Sequence, residues 1–99
     1  MQMRLIEQER KAIMEAIARF DNQAEAYLFG SRSDDTKKGG DIDILIISDK
    51  LDKHSLFSIE EEIFKKIDEQ KIDFVLSGKD LKNKFARMIL KKGAIKLWL

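Results

Sequence analysis

The sequence predicts an α/β (α+β) fold in a single domain over residues 1–99, with a small mixed β-sheet and helices packed on it. Segments with helical apolar spacing alternate with short runs rich in β-branched and aromatic residues, in the order helix, strand, strand, helix, strand, helix, short strand. The 99 residues suffice for one hydrophobic core. We therefore expect any large acceptor-binding surface to come from a partner.

Three segments carry apolar residues every three or four positions, which predicts helices. The shorter apolar runs between them predict strands. One of these runs consists of Ile and Leu except for Asp43, and such a run is typical of a strand buried on both faces in the middle of a sheet. The apolar residues of the predicted helices span residues 3–20, 56–67 and 81–89, the last through Leu81, Phe85, Met88 and Ile89. The predicted strands are residues 24–29, 42–47, 72–76 and 94–99.

Polar residues and glycine indicate where the helices begin and end. Asp52 or Ser55 suits the N-cap of the second helix. Ser77, with Asp80 three residues later, resembles a capping box that opens the third helix. Gly93 follows two lysines and fits the C-cap of that helix, because glycine readily adopts the conformation required there.

Composition excludes several classes of function. The formal net charge is +1 and the basic residues are dispersed, so neither direct nucleic-acid binding nor membrane binding is indicated. Cysteine is absent from the sequence, which excludes disulfides and thiolate chemistry. Because the N-terminus is charged throughout and no segment has membrane-spanning length, we expect a cytoplasmic protein.

Two acids stand at the start of the buried strand. Asp41 and Asp43 alternate with an apolar residue, so their side chains share one face of the strand with a Cα separation of roughly 6 to 7 Å. A bound divalent cation stabilises such a pair as carboxylates. Hard oxygen ligands favour Mg²⁺ or Mn²⁺.

A third acid and a glycine turn extend this candidate site. If the strand that contains Asp73 neighbours the first, three carboxylates meet and can hold two metal ions, as phosphoryl and nucleotidyl transfer require. Gly30 and Ser31 directly follow a strand, where a missing Cβ and free N–H groups suit phosphate oxygens. Arg32 adds a planar cation that suits phosphate.

These residues resemble the minimal nucleotidyltransferases of the DNA polymerase β-like superfamily. The resemblance rests on GSRSDDTKKGGDID, on the later acid in KIDFVL and on the ending ILKKGAIKLW. It implies the nucleotidyltransferase fold, with metals bound by Asp41, Asp43 and Asp73. It also implies that Gly30 and Ser31 bind the nucleotide phosphates, with Arg32 beside them.

What the family implies is transfer of a nucleoside monophosphate, usually AMP from ATP, to a hydroxyl group. Small members look like the MntA-like antitoxins that are paired with an all-helical HEPN ribonuclease toxin and silence it by adenylylating a tyrosine. The resemblance therefore implies Mg²⁺ and ATP, a hetero-oligomer with a HEPN toxin, or a homodimer when the chain is alone.

Two alternatives remain open at this point. Many bacterial members continue Gly-Ser-Arg with Ala-Arg-Gly, whereas this chain has Ser33, Asp34 and Asp35. An acid in place of a base near the phosphates favours an antitoxin that acts by occlusion with weak or lost catalysis. The other alternative is a small-molecule nucleotidyltransferase of the aminoglycoside-modifying kind, although such enzymes carry an acceptor domain for which this chain has no room.

Overall fold

The computed structural model describes residues 5–30 and 42–98 of the chain. In chain order the elements are α1 (Glu7–Phe20), β1 (Glu25–Phe29), β2 (Ile42–Ile47), α2 (Lys53–Phe64), β3 (Ile72–Ser77), α3 (Lys84–Lys91) and β4 (Ile95–Lys96). This order confirms the predicted alternation of helices and strands. Within the described ranges, no helix combines the length and the apolar character that crossing a membrane requires.

The four strands form one mixed sheet in the order β3-β2-β1-β4. Strands β2 and β3 are parallel, whereas β1 pairs antiparallel with both β2 and β4. Strand β2 thus lies inside the sheet with a hydrogen-bonded neighbour on each side, and all of its residues except Asp43 are buried. The prediction of a central strand buried on both faces is confirmed.

Each face of the sheet is covered by helices. On one face, Ile44 of β2 packs with Ile13 of α1 and Ile59 of α2 in the main core. On the other face, Leu45 joins a smaller cluster with Ile89 of α3. Because side chains alternate along a strand, Asp43 lies on the same face as Leu45, which is the α3 face.

Helices α1 and α2 begin at polar contacts with backbone N–H groups. The N-cap of α1 is Ile6, so the helix begins later than the spacing predicted, and the Ile6 N–H donates to the Glu9 carboxylate at 3.1 Å. The N-cap of α2 is Asp52, which accepts the N–H of Ser55 at 2.9 Å. Of the two predicted caps for α2, Asp52 is therefore the correct one.

Helix α3 begins later than predicted. Ser77 is the last residue of β3, and Leu81 has φ = 55°, so the chain between them is not helical. Asn83 is the N-cap, and its side chain accepts the N–H groups of Phe85 and Ala86 at 2.9 and 3.2 Å. The predicted capping box is therefore wrong, because a left-handed residue separates it from the helix.

The end of α3 and the last strand follow the prediction only in part. Gly93 comes directly after the C-cap residue and has φ = 97°, the left-handed conformation that favours glycine there. Strand β4 is two residues long, because only Ile95 and Lys96 pair with β1. Leu97 still donates its N–H to the carbonyl of Ala26 at 2.8 Å.

Candidate active site

Two of the predicted acids lie side by side on the sheet. Asp43 of β2 and Asp73 of β3 are register partners on adjacent parallel strands. Register partners project from the same face, at a strand spacing of about 4.8 Å. Asp43 is half-buried and Asp73 is exposed. A shared carboxylate site requires the two strands to be neighbours, and the structure shows that they are.

Gly30 lies against the carboxylate of Asp43. It follows β1 directly and has φ = 72°. A Cβ at this position would lie 3.2 Å from the Asp43 carboxyl carbon and closer still to its Oδ2 atom. Phe29, the residue before it, is the register partner of Asp43 on β1. The glycine therefore leaves space beside the carboxylate that no other residue would leave.

The remaining predicted site residues, Ser31, Arg32 and Asp41, lie outside the described residues. Over residues 5–30 and 42–98, His, Cys, Asp and Glu side chains form no group of three that could hold a metal. Asp43 and Asp73 supply two carboxylates on one face, which is the donor type that Mg²⁺ and Mn²⁺ prefer. The described part of the site thus fits a divalent cation in its chemistry, with Asp41 adjoining it in sequence.

A cleft opens beside Gly30 on the α3 face of the sheet, and the sequence did not predict it. We call it the α3 cleft; its volume is about 220 Å³. Phe29 and Gly30 line one side, and Phe85, Met88 and Lys92 are among the residues from the α3 segment on the other. Helical spacing had assigned Phe85 and Met88 to the apolar face of α3, yet they are 48% and 45% exposed.

A different acid is buried at the opposite end of the sheet. The carboxylate of Asp21, at the end of α1, accepts hydrogen bonds from the Ser48 hydroxyl at 2.6 Å and from the Gln23 N–H at 3.0 Å. The Ser48 hydroxyl, with the Gln23 N–H in a smaller part, lowers the pKa of the Asp21 carboxyl. The Ser48 hydroxyl oxygen also accepts hydrogen bonds from the N–H groups of Lys50 and Leu51. The contact between Asp21 and Ser48 therefore stabilises the loop that follows β2.

A family model described as Polymerase beta, Nucleotidyltransferase matches residues 11–95. The match runs from within α1 to β4 and includes the segments of Gly30, Asp43 and Asp73. The chain belongs to this nucleotidyltransferase family. No curated protein matches the sequence. The resemblance noted in the sequence is thereby confirmed at the level of the family.

Membership gives the α/β nucleotidyltransferase fold and a transferase activity on nucleotides. Nucleotidyltransferases of this family generally use a nucleoside triphosphate and a divalent metal. The two aligned carboxylates and the glycine lie at the same edge of the sheet, at the ends of the three neighbouring strands β1, β2 and β3. A nucleotidyltransferase needs its acids on rigid elements, and strands β2 and β3 provide them.

Proposed function

We propose that this nucleotidyltransferase transfers AMP from ATP to a tyrosine hydroxyl of a HEPN ribonuclease toxin in the cytoplasm, and so acts as its antitoxin. The observation that carries the proposal is the alignment of Asp43 with Asp73, beside a glycine that leaves space at the Asp43 carboxylate. Two acids and a glycine that lies against one of them, all on one face of the sheet, suit nucleotidyl transfer better than hydrolysis of an uncharged substrate.

The metal site in this proposal consists of Asp41, Asp43 and Asp73, with Mg²⁺ or Mn²⁺ as the ion. A bound ion would neutralise charge on the triphosphate and on the leaving pyrophosphate. Asp43 is held on the central strand, and neighbours on both sides fix its backbone. Asp43 and Asp73 are thus carboxylates on strands, whose positions do not depend on a loop.

Gly30, Ser31 and Arg32 would bind the β- and γ-phosphates of ATP. The support from the described residues is Gly30, whose left-handed backbone and missing side chain allow a ligand to approach the end of β1. The Ser31 hydroxyl and N–H can donate to phosphate oxygens, and the Arg32 guanidinium suits the charge of pyrophosphate as it leaves.

Asp73 would orient the acceptor hydroxyl in addition to binding metal. It is exposed, and its strand β3 is the terminal strand of the sheet, so a partner protein can approach it from the side. The acceptor oxygen bonds to the α-phosphorus as the bond to pyrophosphate breaks, and the hydroxyl proton passes to the Asp73 carboxylate. The products are the AMP ester of the acceptor and pyrophosphate.

Intact-mass measurement of a candidate HEPN toxin, incubated with the protein, ATP and Mg²⁺, tests the proposal. We expect a mass gain of one or more AMP units on the toxin, and loss of this gain when Asp41→Asn and Asp43→Asn are combined. Asp68→Asn, an exposed acid beyond α2, is the matched control and should transfer normally. An unmodified toxin, or equal labelling by the double variant, would contradict the proposal.

A second candidate function is inhibition by occlusion alone. It is favoured by Asp34 and Asp35, which bring negative charge into the sequence that follows the proposed phosphate-binding residues. Under this alternative the protein with Asp41→Asn and Asp43→Asn still suppresses the ribonuclease activity of the toxin without ATP. If the double variant and the ATP-free protein both fail to inhibit, occlusion is excluded.

A further inference from the structure

Helix α3 presents large apolar side chains to solvent beside the candidate active site. Its buried residues, Ala86 and Ile89, pack on the sheet, whereas Phe85 and Met88 are about half exposed at the α3 cleft. The ring of Phe85 contacts Phe29 edge-to-face, with centroids 6.4 Å apart and planes at 89°. Exposed aromatic and Met side chains that line a cleft are typical of a surface that binds a ring.

We propose that the α3 cleft binds the base of the nucleotide whose phosphates lie at Gly30. The inference rests on the proposed function, because it assumes a nucleoside triphosphate at the candidate active site. Gly30 lines the cleft and also lies against the Asp43 carboxylate. One molecule can therefore extend from the acids, past the glycine and into the cleft.

The position of the cleft favours the nucleotide over the acceptor. It lies on the β1 side of Asp43, where Phe29 and Gly30 end the strand. Asp73, which would orient the acceptor, lies on the opposite side of Asp43, on β3. With β1 and β3 on either side of β2, the two ligands of the transfer reaction approach Asp43 from different directions.

The chemistry of the lining suits a stacked base. Phe85 offers an aromatic surface, and Met88 a polarisable thioether beside it. Lys92, the C-cap residue of α3, adds a cation at the same cleft that complements the negative charge of a nucleotide. Stacking depends on ring area, so we expect purine nucleotides to bind more tightly than pyrimidine nucleotides.

The methyl group of Met88 gives a direct measurement. The full chain, labelled at the Met ε-methyl groups, is titrated with a non-hydrolysable ATP analogue and Mg²⁺ and followed by NMR. The ring current of a bound base should shift the Met88 signal, whereas Met14, which is buried in the main core, should not move. Inorganic triphosphate with Mg²⁺ should leave Met88 unshifted. An unmoved Met88 at saturating analogue overturns the inference.

Substitution at Phe85 gives the matching binding experiment. Phe85→Ala should weaken binding of the ATP analogue about tenfold and leave inorganic triphosphate binding unchanged. Phe57→Ala, at a Phe that is 70% exposed on α2, is the control and should bind both normally. Phe85→Leu keeps an apolar side chain for folding and should also lose affinity. Equal affinities in all four proteins overturn the inference.

The same variants separate this inference from the proposed function. If Phe85→Ala binds the analogue normally but no longer modifies the toxin, the cleft binds the acceptor instead, and the inference is wrong. If Phe85→Ala weakens analogue binding while the wild-type protein modifies no toxin, the base site stands and the proposed acceptor is wrong.

Discussion

Asp43 and Asp73 are register partners on two parallel strands, although a helix separates them in the sequence. Parallel strands need a crossover connection, and here α2 makes it between β2 and β3. The crossover returns the chain to the same end of the sheet, so the second residue of each strand lies beside the other. The carboxylate pair is thus a product of topology.

The carboxylate pair predicts a large loss of transfer with little loss of stability. Asp43→Asn and Asp73→Asn should each lower nucleotidyl transfer at least about a hundredfold, since metal stabilisation of transition-state charge is worth several kcal/mol. Asp73 is exposed and Asp43 only half-buried, so both variants should fold. Single-turnover labelling with radioactive ATP, beside Asp68→Asn as control, measures the effect. Activity within threefold of wild type in both variants would contradict the assigned roles.

The position of Gly30 predicts that adding one methyl group there affects transfer activity more than it affects stability. Gly30→Ala and Gly93→Ala both place alanine at positive φ and should each cost about 1 to 2 kcal/mol in urea unfolding. Only at Gly30 does the new Cβ meet the Asp43 carboxylate, which must then turn aside; a Cβ at Gly93 has no neighbour within 4 Å. Gly30→Ala should therefore lose far more transfer activity than Gly93→Ala. Similar activity in the two variants would refute this relation.

The buried contact between Asp21 and Ser48 predicts a pH-dependent stability. Ser48→Ala should cost about 2 kcal/mol at pH 7, because it removes a hydrogen bond to a charged group. The pKa of Asp21 is lowered on folding, so its stabilisation is present above the unfolded value of about 3.9 and is lost as the pH falls through the folded value.

The difference between wild type and Ser48→Ala in urea unfolding should therefore shrink below about pH 4. Ser58→Ala in α2 is the control for removing a hydroxyl and should change stability by a few tenths of a kcal/mol. A Ser48→Ala difference that stays constant from pH 7 to pH 3 would show that the contact does not depend on the charge of Asp21.

The revised start of α3 predicts which cap matters. Asn83→Ala should destabilise the protein by about 1 kcal/mol, because two N–H groups of the first turn lose their acceptor. Asp80→Ala should cost less, since Asp80 accepts one N–H, that of Lys82, in the preceding turn. Thermal unfolding of both variants checks the order. A larger cost for Asp80→Ala than for Asn83→Ala would contradict the assignment of Asn83 as the cap of α3.

Local patterns were enough to locate the elements that carry the site. Strand β2 has the predicted bounds because a short run of Ile and Leu has few other stable conformations in a small core. The start of α3 was mispredicted because Leu81 takes a left-handed conformation that its residue type disfavours, which only its surroundings can impose.

The site was predictable in its chemistry but not in its full shape. Asp43 and Asp73 were named from the sequence, while their adjacency depended on strand order, which is not local information. The α3 cleft was missed because helical spacing assigns Phe85, Met88 and Ile89 alike to the apolar face of α3. The packing of α3 against the sheet decides that Ile89 is buried whereas Phe85 and Met88 are exposed.

The central position of β2 has a consequence for how the protein loses its activity on heating. Amide groups of a strand with neighbours on both sides exchange with solvent only when most of the molecule opens. Asp43 is attached to that strand, so its geometry should persist through every local opening of the helices. Thermal inactivation should then coincide with global unfolding, because the acid that the reaction needs lies on the last part of the chain to open.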